Sequence, residues 1–526
     1  MRLMPDSFID VRNTVDWINH HENVRVPVAK ILTVRNETPA SASFAGMRAT
    51  AARLQKIIQD ALAAGKRIRA VGAHWSFSDI PTAANGWIVE TNKLDWRFAF
   101  VAGDMHISSN VTHDELLLCQ CGTLVARINE TLESPNSVFP NSQRRKALRT
   151  SGASNGQTIA GALGTGVHGS AIDVGGMESQ VVGIQLLSAT RNLWIERASA
   201  PVMKDGFAAR LGAELIRDDN LFEAAIVSLG SLGIVHAVML CSTGRYLLNT
   251  SLRRIRYGNI KAALNSLNFQ GSGIPDETRR PYFFQAIMDP DDLWEDGDRA
   301  KVFCTVRYKE VCPPNHPVAY NLKKENSDGT DLPKLIGDII SLSPDFRDLA
   351  TWLLMEILLK EQSEIGKADK WRTPGQTYTF TDARRGVASS GFGVPLAQVS
   401  NALAIMAEAF RAHKKAGVVL TCRYVQKSPG ILSFTRYDPT CVIDIDGIDS
   451  QATQKLIKLV AQRFEAAGMP FTMHWGKTNH LTKARVRAAF GGNVDRWIVA
   501  RRTLLPDQAE RDAFSNDFID AVGLNA

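Results

Sequence analysis

The residues best suited to chemistry cluster in TSGASNGQTIAGALGTGVHGS (150–170), which holds six glycines in 21 residues and one basic side chain, His168. Where glycine removes the side chain, the backbone can approach a ligand closely and offer its N–H groups, so a flat or anionic ligand is expected against this segment. Ile159, Leu163 and Val167 recur at regular intervals, unlike a flexible linker, and the glycine content argues against an ordinary helix. A second Gly-punctuated apolar run, AAIVSLGSLGIVHAVMLCS (224–242), ends in an expected strand.

These loops need rigid elements to hold them. After an irregular opening, residues 47–80 place Leu54, Ile57, Ile58 and Leu62 at helical spacing, stop the helix at Gly65 and continue as a short strand over 68–71. Strands are expected at 86–94 and 114–122, a helix at 126–134 and a hairpin over 179–195. From about residue 245 the texture changes to strands at 280–289 and 300–311, and a second domain begins. Two amphipathic helices in 332–360 would cover a sheet or pair with a second subunit in a homo-oligomer, with an apolar substrate channel or a membrane-surface contact as alternatives. A helix at 395–416, strands at 418–426 and 441–447 and a helix at 450–468 follow, before a C-terminal segment of mixed character.

Composition narrows the function classes. The net charge of +7 comes from short basic clusters such as Arg144-Arg145-Lys146 with no recognised module or basic stripe, which argues against nucleic-acid binding. No run of 18 apolar residues marks a membrane span, and Asp6, Asp10 and Asp16 interrupt any signal-peptide core. Seven cysteines, an odd number with no CxxC pair, build neither a disulfide framework nor a zinc site. A cytoplasmic, thiol-bearing protein without a metal is expected.

Three motifs in order along the chain carry a resemblance. VGAHWSFSDI (71–80) resembles the loop that wraps the FAD pyrophosphate in the vanillyl-alcohol-oxidase/p-cresol-methylhydroxylase-type flavoproteins. QTIAGALGTGVHGS (157–170) is similar to that family's segment beside the isoalloxazine ring, with VSLGSLGIV (227–235) like its second cofactor run. HWGK (474–477) resembles the C-terminal portion of the sugar-lactone (aldonolactone) and alditol oxidase branch. The resemblance implies an α+β fold: a two-subdomain FAD-binding domain over 1–245, a cap or substrate domain over 246–465 with an antiparallel sheet flanked by helices, and a C-terminal return over 466–526. The residues agree with a dinucleotide, whose phosphates and flat rings need backbone donors and small-residue walls. A GxGxxG turn after a first strand is absent, which argues against a nicotinamide dehydrogenase.

By the same resemblance the cofactor would be held by Val71, Gly72, Ala73, His74, Trp75, Ser76, Phe77 and Ser78 of the first loop. The second loop would add Thr158, Gly161, Ala162, Gly164, Thr165, Gly166, His168, Gly169 and Ser170, and the third Gly230, Gly233 and Ile234, with Lys477 beside them. In relatives with covalent flavin the linking histidine usually stands immediately before the Ser of the first loop; here Trp75 stands there and His74 one step earlier, so a link through His74 competes with non-covalent FAD.

Alditol oxidases carry E-x-R on one cap strand and a histidine on the next; this chain has Thr421-Cys422-Arg423 and Asp444. A period of two puts Thr421 with Arg423, and Asp444 with Asp446, on common faces. The implied catalytic set is Arg423 and Lys477 as cations, with Asp444 or His474 as proton acceptor; Thr421, Phe284 and Gln285 would bind substrate. The expected reaction is oxidation of a CH–OH group in a sugar lactone, polyol or larger hydroxylated molecule, with O2 as acceptor. A dehydrogenase with another acceptor, a sterol or secondary-metabolite oxidase, and a flavin-binding protein without turnover stand as alternatives.

Overall fold

The structure, a computed structural model, describes residues 7–37, 42–134, 136, 138, 145–152, 154–316, 371–378, 386–412 and 417–526. The helices expected within 332–360 lie outside the described residues.

The chain opens on an antiparallel hairpin, Ile9–Ile18 with Arg25–Arg35, where the sequence reads as irregular. The first strand is exposed on both faces from Asp10 to Thr14, so it lacks the inside-outside alternation that marks a half-buried strand. Arg25–Arg35 pairs in parallel with Trp87–Lys93, which pairs in parallel with Ile68–Val71. Over this four-stranded sheet lies helix Phe44–Ala63. Ser43 caps it by accepting the Gly46 N–H, and Leu54, Ile57, Ile58 and Ala61 form its buried stripe.

A second, six-stranded sheet runs in the order Glu214–Arg217, Asn192–Glu196, Val181–Leu187, Ile234–Cys241, Leu116–Gln120, Arg97–Phe98. Val181–Leu187 and Asn192–Glu196 form the expected hairpin. His236, on strand Ile234–Cys241 of this sheet, is fully buried, with Nδ1 2.9 Å from Gln185 Oε1 and Nε2 2.9 Å from Thr50 Oγ1. Burial lowers its pKa from 6.5 to about 3. The folded state therefore keeps His236 neutral while the unfolded chain takes up a proton below pH 6.5. Stability from this group is complete above pH 6.5 and is lost as pH falls toward 3, by up to about 1.4 kcal/mol per pH unit. Urea unfolding at pH 7 and pH 5 is expected to show a smaller acid loss in His236→Gln than in the wild type.

The third sheet has eight strands, in the order Trp371–Arg372, Tyr246–Arg256, Lys301–Val311, Phe283–Met288, Val418–Val425, Thr440–Ile448, Val387–Pro395, Thr472–Met473, all antiparallel. Its strands alternate strictly between two different environments. Phe284, Ala286 and Met288, Leu420, Cys422 and Tyr424, Cys441, Ile443 and Ile445, and Phe392 and Val394 pack into one apolar core. The same core takes in Ile260, Leu293, Met406 and Val460 from helices Tyr257–Ser266, Pro290–Asp296, Val399–Ala412 and Gln451–Ala466. The intervening positions, Gln285, Ser389, Thr421, Arg423, Asp444 and Asp446, therefore point to the opposite face. The polar face of this sheet is what the fold delivers to the site.

After Thr472–Met473 the chain turns away. Trp475, Phe490, Trp497 and Phe518 enter the same core as Leu117, Ile159, Ile184 and Val238 of the N-terminal part. The architecture is the expected α+β one: two sheet-and-helix subdomains and an antiparallel cap sheet flanked by helices. No helix among the described residues is long and apolar enough to cross a membrane.

Candidate active site

An open cavity lies between the polar face of the cap sheet and the glycine-rich loops. One wall is the strand-loop Arg69–Phe77, and another is the loop and short helix from Gln157 to His168. A third is Ser228–Val235, and the cap side contributes Ser389, Arg423, Asp446, His474 and Lys477.

Glycine is needed at particular points of these walls. A Cβ on Gly72 would sit 1.8 Å from Thr158 Oγ1, so the first loop can lie against the second only with hydrogen there. Thr158 opens a six-residue helix, Ile159–Gly164, inside the segment whose composition argued against an ordinary helix; one and a half turns suffice to bury Ile159 and Leu163. A Cβ on Gly161 would meet protein only at Thr158 Oγ1, 3.2 Å away, and one on Gly164 only at Ser228 Oγ, 3.9 Å away, so methyl groups there would project into the cavity. Gly230, at φ +66°, packs on the Arg69 guanidinium. Arg69 in turn donates to the carbonyls of Ile80, Leu229, Gly230 and Phe514, which pins the third loop to strand Ile68–Val71. Burial, with Arg501 nearby, lowers its pKa to about 9.

The cap wall is built around a buried carboxylate. Asp444 lies 2.6 Å from Lys477 Nζ and 3.0 Å from Arg423 Nη1. Gly391, its cross-strand neighbour, makes room: a Cβ there would fall 2.8 Å from Asp444 Oδ1. Arg423 Nε donates to Gln285 Oε1 at 3.1 Å. Two residues along the strand, Asp446 accepts from Ser389 Oγ at 2.5 Å through Oδ1, with Thr421 Oγ1 3.4 Å from Oδ2. Burial raises the Asp446 pKa and Asp444 adds to the rise, while Lys477 and Arg423 oppose it.

Two histidines complete this wall, and their partners define their tautomers. His168 Nδ1 lies 2.9 Å from the Gly169 carbonyl, which can only accept, so Nδ1 carries the proton and Nε2 the lone pair. His474 Nδ1 accepts the Gly476 N–H at 3.0 Å, so in the neutral ring Nε2 carries the proton. Burial and then Lys477 push both pKa values well below the usual histidine range.

Not every residue expected at the site faces the cavity. Val71 to Phe77, Thr158, Gly161, Gly164, Thr165, His168, Gly230, Gly233, Arg423, His474 and Lys477 line it. Ser78 instead donates to the Trp475 carbonyl at 2.8 Å, Ala162 is in the core, Gly166 packs against Phe434 and Gly169 against Thr150. Ser170 bridges to the cap, donating to the Phe284 carbonyl and accepting the Tyr424 N–H, and Ile234 is buried under the first subdomain. Phe284, expected to bind substrate, sits between Phe269 and Tyr424 in the helix-side core; Thr421 is fully buried, and Gln285 acts on Arg423. Asp444, expected as a proton acceptor, is ion-paired with both cations and is not among the residues lining the cavity, and His474 accepts the Gly476 N–H at Nδ1, which leaves Nε2 as a donor in the neutral ring.

Sequence reading missed Arg69, His21, Gln157 and Ser389 as lining residues. Only the polar pair Ser389-Ser390 inside an otherwise apolar and Gly-rich strand could have hinted at the last.

No family model matches the chain. Among curated proteins it is 26% identical over 204 residues to the D-arabinono-1,4-lactone oxidase of Yarrowia lipolytica, covering 39% of this chain and 32% of that protein. It is 25% identical over 237 residues to the D-arabinono-1,4-lactone oxidase of Candida albicans, covering 44% and 36%. The chain thus spans about a third of the curated relatives' length. Among solved structures, a solvent-stable cholesterol oxidase superposes at TM-score 0.64 with 14% identity over 99% of this chain and 100% of that one. The cholesterol oxidase from B. sterolicum superposes at 0.66 with 13% identity over 99% of both. The resemblance to vanillyl-alcohol-oxidase/p-cresol-methylhydroxylase-type flavoproteins of the aldonolactone-oxidase branch is therefore matched twice, by sequence similarity to D-arabinono-1,4-lactone oxidases and by the fold of cholesterol oxidases.

Proposed function

We propose that the protein is an FAD-dependent oxidoreductase that oxidises a CH–OH group of a polar, hydroxylated small molecule, a sugar lactone or polyol, with O2 as acceptor. The observation that carries this reading is one cavity with two kinds of wall: glycine-built loops suited to a dinucleotide, and a cap wall holding Arg423, Asp446, His474 and Lys477. Sequence similarity to D-arabinono-1,4-lactone oxidases supports the substrate class.

The residues present fit FAD. Gly161 and Gly164 leave space where side chains would intrude, and Gln157 Oε1 and His74 Nε2, on cavity-lining residues, are buried without a hydrogen-bond partner in the protein. The loops over 71–77, 158–168 and 228–235 would hold the dinucleotide. Bound there, the flavin supplies a two-electron acceptor for a hydride leaving the carbinol carbon. Arg423 and Lys477 place fixed positive charge on the cap wall, where it would stabilise negative charge developing on the substrate oxygen or the reduced ring. Asp444 holds both cations in place, and the buried wall keeps bulk water from screening them.

The test is anaerobic mixing of the yellow holoprotein with D-arabinono-1,4-lactone, a linear alditol and cholesterol. Bleaching of the flavin band by the lactone or alditol is expected, with peroxide released when air is admitted. Bleaching by the sterol alone would move the substrate class to larger alcohols, and no bleaching by any of the three would defeat the reading. Acid precipitation decides the cofactor's attachment. Yellow retained in the pellet and lost in His74→Ala marks a link through His74, whose Nε2 lies 3.7 Å from Glu90 Oε1; yellow in the supernatant marks FAD held by the loops alone.

A further inference from the structure

The cap wall holds more acid-base groups than the cluster of Asp444, Lys477 and Arg423 uses, and their contacts sort them. Asp444 is engaged at one oxygen by Lys477 and at the other by Arg423. His474 accepts the Gly476 N–H at Nδ1, so its other ring nitrogen carries a proton in the neutral ring and offers no lone pair. His168 keeps a lone pair on Nε2, but Lys477 and Arg423 both act against its taking a second proton. Asp446 is the one carboxylate among the described residues lining the cavity. Its Oδ1 is held by Ser389 from the strand on one side, and its Oδ2 meets only Thr421, 3.4 Å away on the other.

We infer that Asp446 is the general base that takes the proton from the substrate hydroxyl, a role that rests on the alcohol-oxidation reading above. The O–H bond breaks, its electron pair stays on the substrate oxygen and the proton passes to an Asp446 oxygen. The C–H bond breaks with its electron pair leaving as hydride to the oxidised flavin, and the C=O bond forms. The alcohol loses two electrons and the flavin gains them.

The surroundings suit this division of work. Asp446 is faced by Asp444 on its own strand, by Thr421 and Arg423 on one neighbouring strand and by Ser389 on the other, with Lys477 and His474 from the C-terminal segment and His168 from the glycine-rich loop. Burial makes this carboxylate more basic than a free aspartate, while the two cations keep the anion accessible. Thr421, where the resembled alditol oxidases carry glutamate, is too short to reach the cavity and donates toward Asp446 instead.

The experiment compares wild-type, Asp446→Asn and Asp446→Glu holoproteins in single-turnover flavin reduction, using whichever of D-arabinono-1,4-lactone, the alditol and cholesterol bleaches the wild type. Asp446→Asn is expected to slow reduction by roughly 10² to 10⁴-fold, the usual contribution of a general base, with little change in the substrate concentration for half-saturation. Asp446→Glu is expected to restore part of the rate. The wild-type rate is expected to rise with pH along an acid limb that Asp446→Asn lacks. Infrared titration of the substrate-free holoprotein supplies a readout independent of turnover: a protonated-carboxyl band present in the wild type above the ordinary aspartate range and missing in Asp446→Asn. Equal reduction rates in wild type and Asp446→Asn, or no such band, would overturn the assignment while leaving the alcohol-oxidation reading intact. Failure of all three alcohols to bleach the wild type would instead defeat that reading, and the base role with it.

Discussion

Lys477→Met is expected to slow flavin reduction by roughly 10² to 10³-fold, the cost of removing one preorganised group from a transition-state charge. The side chain is nearly isosteric along its stem, so packing is largely kept while the charge is lost. Lys477 lines the cavity and holds Asp444 at 2.6 Å, so its loss removes positive charge from the cap wall and leaves Asp444 to Arg423 alone. Lys477→Arg, which keeps the charge but changes its geometry, is expected to fall between Met and wild type. Stopped-flow photometry reads the rate, and an unchanged rate in Lys477→Met would remove Lys477 from the catalytic set.

The second large effect concerns stability. Asp444→Ala removes the only carboxylate among the described residues within ion-pairing distance of Arg423 and of Lys477, both of which are mostly buried. Breaking a buried pair from one side costs about 3–5 kcal/mol, because a desolvated charge is left without a partner. Urea unfolding of the holoprotein is expected to show a loss of that order. The double variant Asp444→Ala/Lys477→Met is expected to be more stable than Asp444→Ala alone, since one of the two orphaned charges is gone. Additive losses would show that Asp444 and Lys477 do not act as a unit.

Much of this arrangement was legible in the residues, and the limits of legibility have physical causes. Helix Phe44–Ala63 announces itself because Leu54, Ile57 and Ile58 must share a buried stripe, and Gly65, at φ +61°, ends the turn. The hairpin Ile9–Ile18 does not, because a strand exposed on both faces imposes no alternation. Parity along the cap strands places Thr421 with Arg423 and Asp444 with Asp446, but it cannot say which face meets the cavity. Phe284 and Gln285 are adjacent, and only packing of four helices against the Phe284 side decides that Gln285 looks inward. From the sequence Asp444 stands as a proton acceptor, because its engagement depends on Lys477, 33 residues further on and delivered by the C-terminal turn. The donor character of His474 depends on one backbone N–H, that of Gly476, which no side-chain pattern encodes.

The central claim, that the glycine-built loops hold FAD, is tested most directly by the visible spectrum of the purified protein, alone and after titration with FAD. The account predicts flavin absorbance bands in the wild type, and their absence in Gly72→Val, where the new side chain would collide with Thr158 and separate the first loop from the second. A colourless wild-type protein that takes up no added FAD would contradict it.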